Sequence, residues 1–166
     1  MKKSMVMLSI ALSVLFFAAS QLGALTLYSE SFDDNSTAMS GWKRSSVTYV
    51  SRYTGTYKVG DASMQIVSNF NAETDVKTPI FKNMVLKFKM AAYGFEAADK
   101  LYCEYMTGST WVAAATLSDG ADTGAFISYS VNIPNCVILK IRFRLAANST
   151  ADYGYADDVV LTGDRW

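Results

Sequence analysis

Short segments in which apolar and polar residues alternate recur along this chain, and they constrain its fold more than any other feature. Clusters of Gly, Asn, Asp and Ser, which favour turns, separate them. Because successive side chains of a β-strand point to opposite faces, alternation with period two is typical of a half-buried strand. Eight segments qualify: residues 47–57, 63–67, 84–90, 101–106, 111–117, 126–131, 137–145 and 158–162. The pattern predicts an all-β sandwich or barrel.

Two of these segments indicate which face is buried. In residues 84–90, Lys87 and Lys89 share one face, and the other face carries Met84, Leu86, Phe88 and Met90. Residues 137–145 alternate in the same way, with three basic residues opposite Val137, Leu139, Ile141, Phe143 and Leu145. Each segment predicts an antiparallel strand with one face in the core. After the N-terminal region, no segment shows a helical apolar period long enough for a main helix.

The N-terminal residues have the pattern of a secretory signal peptide. Lys2 and Lys3 give a positive start, and residues 5–19 form an almost unbroken apolar run. That run is shorter than the roughly 20 residues a transmembrane helix needs. Residues 1–20 are therefore predicted to be cleaved after Ser20, which leaves a secreted protein in the medium, in the periplasm or at the cell surface. An uncleaved N-terminal anchor is the alternative. Residues 21–166 are predicted to form a single domain.

Charge and histidine content argue against several function classes. The chain has 15 basic and 15 acidic residues, so it lacks the excess positive charge of a nucleic-acid binder. It has no histidine, and therefore neither the usual general base nor a His-based zinc site. Since the acidic residues fall mainly in loops and at strand ends, we expect a protein that is not an enzyme. A small carbohydrate-active enzyme using two carboxylates is the less favoured alternative.

The two cysteines, Cys103 and Cys136, leave two alternatives open. They could pair in an oxidising compartment. By strand parity, however, Cys103 falls on an inner face and Cys136 on an outer one, so two free thiols are an equal alternative.

Four aromatic residues are candidate ligand contacts. Tyr49, Tyr53 and Tyr57 share one strand face by parity, and Trp42 is the second choice. Aromatic rings stack on sugars as well as on other apolar surfaces. The set therefore predicts a glycan platform, with packing in the core or in turns as the alternative.

Carboxylates near both ends of the predicted domain are candidate metal ligands. If Val159 and Leu161 face inward, then Asp157 faces inward with them and Asp158 faces outward. Glu30 shares the face of Phe32, a plausible core residue. A buried carboxylate is costly unless it is hydrogen-bonded or paired with a cation.

Because terminal strands are neighbours in many sandwiches, Glu30 and Asp157 could converge on one cation. Oxygen ligands without histidine suit calcium, and loop carbonyls with Asp33 or Asp61 could complete the site. The alternative is that Asp157 and Asp158 cap a turn while Glu30 pairs with a lysine or arginine.

The order of these features resembles a known group of modules. Eight short features occur along the chain in this order: Glu30-Ser-Phe-Asp-Asp, Gly41-Trp42, Gly60-Asp-Ala-Ser63, Thr78-Pro79, a Leu-Lys-Phe-Lys-Met strand, Leu101-Tyr-Cys-Glu-Tyr, Trp111 and Tyr155-Ala-Asp-Asp-Val-Val-Leu. In this order they resemble the MAM-like jelly-roll modules, the choice-of-anchor and cleaved-adhesin domains and, more distantly, carbohydrate-binding modules. The resemblance spans residues 25–163, but the cysteine framework of MAM domains is missing.

The resemblance implies a two-sheet antiparallel β-sandwich of the jelly-roll type, exported and non-catalytic. It implies a calcium ion held by Glu30 or Asp33 and by Asp157 or Asp158. We therefore expect an exported binding module whose ligand is a glycan. The alternative is a structural or adhesive surface or matrix protein that contacts other proteins.

Overall fold

The computed structural model describes residues 23–35 and 39–166, and the described chain contains strands but no helix. Its eleven strands are β1 Leu25–Glu30, β2 Lys43–Arg44, β3 Val50–Tyr53, β4 Ser63–Val67, β5 Asn71–Lys77, β6 Phe81–Tyr93, β7 Lys100–Met106, β8 Val112–Ser118, β9 Ile127–Ile133, β10 Ile138–Ala146 and β11 Tyr153–Arg165. The predicted signal peptide lies outside the described residues. Within them, no helix is long and apolar enough to cross a membrane.

The strands form two antiparallel sheets packed face to face. The first sheet has the order β3-β4-β11-β6-β9, with β1 also paired to β11, and the second has the order β2-β5-β10-β7-β8. β4 pairs with residues 153–156 of β11, and β1 pairs with residues 159–163 of the same strand. This arrangement confirms the predicted two-sheet sandwich and makes the first and last strands neighbours.

The inner faces of β6 and β10 supply much of the core. The inward residues predicted for these strands are buried, with Met84, Leu86, Phe88, Met90, Leu139, Ile141, Phe143 and Leu145 all at 0–1 % exposure. The rings of Phe88 and Phe143 meet edge to face across the core, with their centroids 5.7 Å apart. Val137 is an exception, because it precedes β10 and is 67 % exposed.

Several strand boundaries differ from the sequence prediction. The segment 47–57 is a strand only at Val50–Tyr53, and β11 begins five residues before the predicted start. β5 was not predicted, because its inward residues, Ala72, Thr74 and Val76, are small or polar and give a weak apolar signal. Their alternation with exposed charged residues was nevertheless present in the sequence.

Both cysteines are free thiols. Cys103 is fully buried, as its strand parity predicted, and burial raises the pKa of its thiol. Cys136 is half-buried, and its carbonyl oxygen accepts a hydrogen bond from the Thr78 hydroxyl at 2.7 Å.

Candidate functional site

A β-bulge in the last strand changes where the paired carboxylates point. Asp157 lies opposite Lys89 of β6, whereas Val160 lies opposite Lys87, so β11 has one extra residue between them. Asp158, at the bulge, has a φ of 47°. Because an extra residue interrupts the alternation, Asp157 does not share the inward face of Val159. It lies on the outer face with Tyr155, which corrects the predicted phase.

Asp157 is nevertheless completely buried, because the loop before β4 covers it. Its Oδ2 accepts a hydrogen bond from the backbone N–H of Val59 at 2.9 Å, and its Oδ1 accepts one from that of Asp158 at 2.7 Å. Among the described residues, no ion pair includes this carboxylate. Burial raises the pKa of Asp157 to about 7; the two N–H donors oppose the shift, and the charges of Asp158 and Asp33 add to it. Asp157 is thus a buried acid without a protein cation.

Asp33 approaches the same loop from the other side. Its Oδ1 accepts hydrogen bonds from the backbone N–H groups of Asp61 at 2.6 Å and Ala62 at 3.0 Å, which together lower its pKa. Gly60, at a φ of 67°, permits this approach, since a Cβ there would lie 2.8 Å from both Asp33 oxygens. Arg52 holds the segment by donating to the carbonyl oxygens of Phe32 and Asp33 at 2.6 and 2.8 Å. Asp33 and Asp157 therefore converge on residues 59–62.

The three other predicted metal ligands have different surroundings. Asp158 forms an ion pair with Lys89 at 2.7 Å. Glu30 lies opposite Val159, and its Oε1 accepts a hydrogen bond from the N–H of Phe32 at 2.8 Å. Burial raises the pKa of Glu30, although that hydrogen bond opposes the shift. Asp61 contributes its backbone N–H to Asp33.

A separate acidic cluster lies at another part of the sandwich. Among the described residues, Glu96, Asp99 and Asp152 are the one set of three acidic side chains whose oxygens come within 4.8 Å of one another. Asp99 and Asp152 accept local hydrogen bonds from the N–H groups of Glu96 and Ser149, which close two turns. None of these three residues was among the predicted metal ligands.

The predicted tyrosine set does not form one stripe. Tyr49 precedes β3 and stacks on Phe70, with ring centroids 4.7 Å apart. Tyr53 and Tyr57 pack instead against the buried ring of Tyr155, with centroid separations of 5.2 and 5.0 Å. Their division between two clusters corrects the predicted geometry, since only residues 50–53 are a strand. Ligand binding by these three tyrosines stays a prediction.

Trp42 lies in the core and not at the surface. It is 5 % exposed, and its ring lies 6.0 Å from that of Phe32 and 5.8 Å from that of Phe143. Its faces are packed inside the protein, so Trp42 does not offer the exposed ring that a glycan platform was expected to have there.

The outer face of the second sheet carries an aromatic and charged array. The guanidinium carbon of Arg142 lies 4.1 Å from the ring centroid of Trp111, and that of Arg144 lies 4.2 Å from the ring centroid of Tyr102. Glu104 lies between them in the sheet, opposite Arg142. We call these five residues the platform. The rings and guanidinium groups orient one another through cation–π contacts.

Glu104 connects the two arginines of the platform. Its Oε2 accepts hydrogen bonds from Nε of Arg142 at 2.8 Å and Nε of Arg144 at 3.1 Å, and its Oε1 accepts one from Nη2 of Arg144 at 3.1 Å. Burial opposes its ionisation, but the two guanidinium groups outweigh burial and lower the pKa of Glu104. Each guanidinium has two nitrogens within 3.1 Å of this carboxylate, and the side chains of Arg142 and Arg144 are 18 % and 29 % exposed.

The outer face of the first sheet has a different character. An open groove of about 510 Å³ crosses β1, β11, β6 and β9, lined by Ser29, Glu30, Lys87, Lys89, Ser128, Ser130 and Asp158 among others. Two aromatic residues also line it, Phe88 and Tyr129, but their rings stack on each other with centroids 5.3 Å apart. The groove therefore combines hydroxyl and charged side chains with a lining that is largely apolar.

The platform was not predicted, although part of its signal was present in the sequence. Tyr102 and Glu104 alternate on the outer face of β7, and Arg142 and Arg144 do so on β10. Their meeting depends on the register between these strands, which places Arg142 opposite Glu104 and Arg144 opposite Tyr102. Trp111 follows after a further turn.

No protein-family model matches this sequence, and no curated protein matches it either. Solved structures are similar in fold. TmCBM61, determined in complex with β-1,4-galactotriose, has a TM-score of 0.58 at 16 % identity, over 76 % of this chain and 90 % of that one. The CBM22-1 xylan-binding domain from Paenibacillus barcinonensis Xyn10C has a TM-score of 0.56 at 12 % identity, over 86 % and 97 %.

A bacterial adhesin domain is also similar. The K3 cleaved adhesin domain of Lys-gingipain from Porphyromonas gingivalis w83 has a TM-score of 0.55 at 14 % identity, over 84 % of this chain and 99 % of that one. The resemblance to cleaved-adhesin and carbohydrate-binding modules is thus confirmed at the level of the fold. Its MAM part is not confirmed.

Proposed function

We propose that this protein is an exported, non-catalytic module that binds a glycan through the platform on its second sheet. The observation that carries the proposal is the pairing of two aromatic rings with two guanidinium groups around one carboxylate. Aromatic rings offer apolar surface to sugar C–H groups, and a guanidinium or carboxylate can bind two neighbouring hydroxyls at once. Similar folds that bind galactotriose and xylan support this class of ligand.

The platform is also held in place before a ligand arrives. The side chain of Glu104 is only 9 % exposed, and its ion pairs restrict the rotamers of both arginines. Groups that are already ordered lose less conformational entropy on binding. The groove on the first sheet lacks such an arrangement, so we place the glycan on the second sheet.

Titration calorimetry and a glycan array with β-1,4-galactan and xylan oligosaccharides test this assignment. We expect Trp111→Ala to weaken binding at least tenfold, or about 1.4 kcal/mol, without a change in fold. Arg142→Lys keeps the charge but loses the two-pronged geometry, so it should weaken binding to a smaller extent. No reducing ends should be released from either polysaccharide.

Tyr57→Ala is the matched control, since it removes an aromatic residue of the originally predicted set. If this variant loses binding while Trp111→Ala keeps it, the site lies at the tyrosine cluster and not on the platform. If no glycan binds and the protein instead adheres to cells, the structural or adhesive alternative replaces the proposal.

We also propose that calcium stabilises the fold at Asp157 and Asp33. Two observations support the proposal: no ion pair among the described residues includes the buried Asp157 carboxylate, and Asp33 hydrogen-bonds to the same loop. Their carboxylates would hold the ion, with carbonyl groups as further oxygen ligands. The bound ion would supply the positive charge that the surrounding side chains do not.

Chelation tests the calcium proposal by differential scanning calorimetry. Removing the ion should lower the melting temperature, and Asp157→Ala should abolish this sensitivity. Asp99→Ala, in the separate acidic cluster, is the control and should leave it intact. An unchanged melting curve with chelator would reject calcium without affecting the glycan proposal.

A further inference from the structure

The strands at the edges of the two sheets differ in how they are protected against pairing with another chain. Natural edge strands are usually short, charged or bulged, because their free N–H and C=O groups can accept a further strand. β2 has two residues, both basic, and β3 has four residues including Arg52. β1 has a register shift after Thr26 and ends in Glu30, and β8 has a register shift at Ala114. Each of these edges is protected.

β9 has none of these protections. It is seven residues long, Ile-Ser-Tyr-Ser-Val-Asn-Ile, without charge or proline. Its pairing with β6 is regular from Ile127 to Ile133, without a bulge. Ile127 is 39 % exposed, and Ser128, Ser130 and Asn132 are exposed as well. One edge of the first sheet is therefore a regular seven-residue strand without charge.

The sequence of β9 is complementary to itself when two copies run antiparallel. With Ser130 at the centre, Ile127 of one copy would lie opposite Ile133 of the other, and Tyr129 opposite Val131. Ser128 would then lie opposite Asn132. Apolar residues thus meet apolar residues and polar residues meet polar ones, and aromatic with β-branched pairs are favourable across strands.

From this symmetry we propose that β9 pairs with β9 of a second copy of this chain and forms a two-fold dimer. The first sheets join into one continuous sheet, and the free N–H and C=O groups of both edges become hydrogen-bonded. A two-fold axis through Ser130 is perpendicular to that sheet, so the interface uses the same residues from both copies. Because β9 contains no charged residue, the two paired strands bring no like charges together.

This dimer would place both second sheets on the same side of the joined sheet. The two platforms then face the same direction, and a polymer with repeated units could occupy both, which raises the apparent affinity. That consequence rests on the proposed glycan function, whereas the dimer itself does not. Measurements of oligomeric state without glycan therefore test the dimer separately.

Sedimentation equilibrium of the purified protein, over about 1 to 500 μM, provides the first test. We expect a monomer–dimer equilibrium for the wild type. Ser130→Lys puts two ammonium groups next to each other at the axis and should shift the equilibrium to monomer by at least tenfold in dissociation constant. Thr116→Lys adds the same charge to an exposed residue of β8 and should leave the dimer unchanged.

Cross-linking provides a second test, in which a covalent dimer is gained and the interface does not have to be weakened. Two Ser130→Cys residues at the axis lie within the range of a disulfide, because the Cα atoms of directly opposed residues are about 4.5–5.5 Å apart. Mild oxidation should give a covalent dimer of Ser130→Cys faster than of Thr116→Cys or the wild type. A monomer at every concentration, or equal cross-linking of the two cysteine variants, would overturn the proposal.

Discussion

Glu104 and Asp157 are both buried carboxylates on the outer faces of their sheets, yet their charges are compensated differently. Glu104 lies between Arg142 and Arg144, which lower its pKa. Asp157 receives two backbone N–H groups and no side-chain cation among the described ion pairs, and burial raises its pKa to about 7. The first acid is neutralised within the sheet, whereas the second requires a proton or an external cation.

The difference arises from strand register. β7 and β10 pair without interruption, so Arg142 lies directly opposite Glu104. Lys89 likewise lies directly opposite Asp157 in the register. The bulge, however, brings Asp158 next to Lys89, and the ion pair forms between these two residues. One additional residue in a strand can thus separate an acid from the cation that the register would supply.

The largest effect is expected from Glu104→Ala. Removing this carboxylate leaves two partly buried guanidinium groups without a partner, which should lower the free energy of unfolding by about 2–3 kcal/mol. Chemical denaturation measures the loss. Glu73→Ala is the control. It removes an ion pair of 3.7 Å with Lys43, whose side chain is largely exposed, so it should cost about 0.5 kcal/mol or less. Equal losses for the two variants would show that the platform is not an energetic unit.

The second effect concerns the loop that covers Asp157. Gly60→Ala places a Cβ at a positive φ and within 2.8 Å of both Asp33 oxygens. Strain together with displacement of Asp33 should cost about 2 kcal/mol. Gly108→Ala is a suitable control because its Cβ would meet no atom within 4 Å. If the Gly60 variant were as stable as this control, the contact of Asp33 with the loop would be energetically unimportant.

The third effect is a pH dependence of stability in the presence of chelator. Because the pKa of Asp157 rises from 3.8 when exposed to about 7 in the folded protein, the folded state binds this proton more tightly than the unfolded state does. Stability from this group is therefore greatest at low pH and decreases as pH rises through 7. After allowance for solvent screening, we expect a loss of roughly 1–2 kcal/mol between about pH 5 and 8.

Two comparisons isolate this group from others that titrate nearby. Asp157→Asn should flatten the slope, even though Glu30, whose pKa is also raised, remains. Excess calcium should reduce the decrease at high pH, because the ion binds the ionised carboxylate. A slope that is the same in the wild type and Asp157→Asn would assign the titration to another residue.

The smallest effect is expected from Lys89→Gln. Its ion pair with Asp158 joins side chains that are 32 % and 38 % exposed, so its removal should cost about 0.5 kcal/mol. Thermal unfolding at low and high salt measures it, since screening should remove the difference. A loss comparable to that of Glu104→Ala would mean that Lys89 also compensates Asp157.

Much of the fold could be predicted from local pattern. The alternation in β6 and β10 identified their buried faces because the side-chain period of a strand does not depend on its partners. Asp157 was identified as an acid that requires compensation, but by a parity that the bulge interrupts, and Asp33 was named only as a residue that could complete the metal site. Trp42 was misplaced because an aromatic residue outside a strand carries no parity, and only packing decides whether its ring is buried.

The sequence by itself determined an all-β fold and most of its strands, since the alternation that identifies a strand comes from residues close together in the chain. Tertiary structure alone decided the register that assembles the platform from β7, β10 and Trp111, and the bulge that turns Asp157 outward beneath its loop. It also decided that β9 is an edge and that Ser130 is the centre of that open edge. Such features depend on which distant strands become neighbours, and local pattern does not specify that choice.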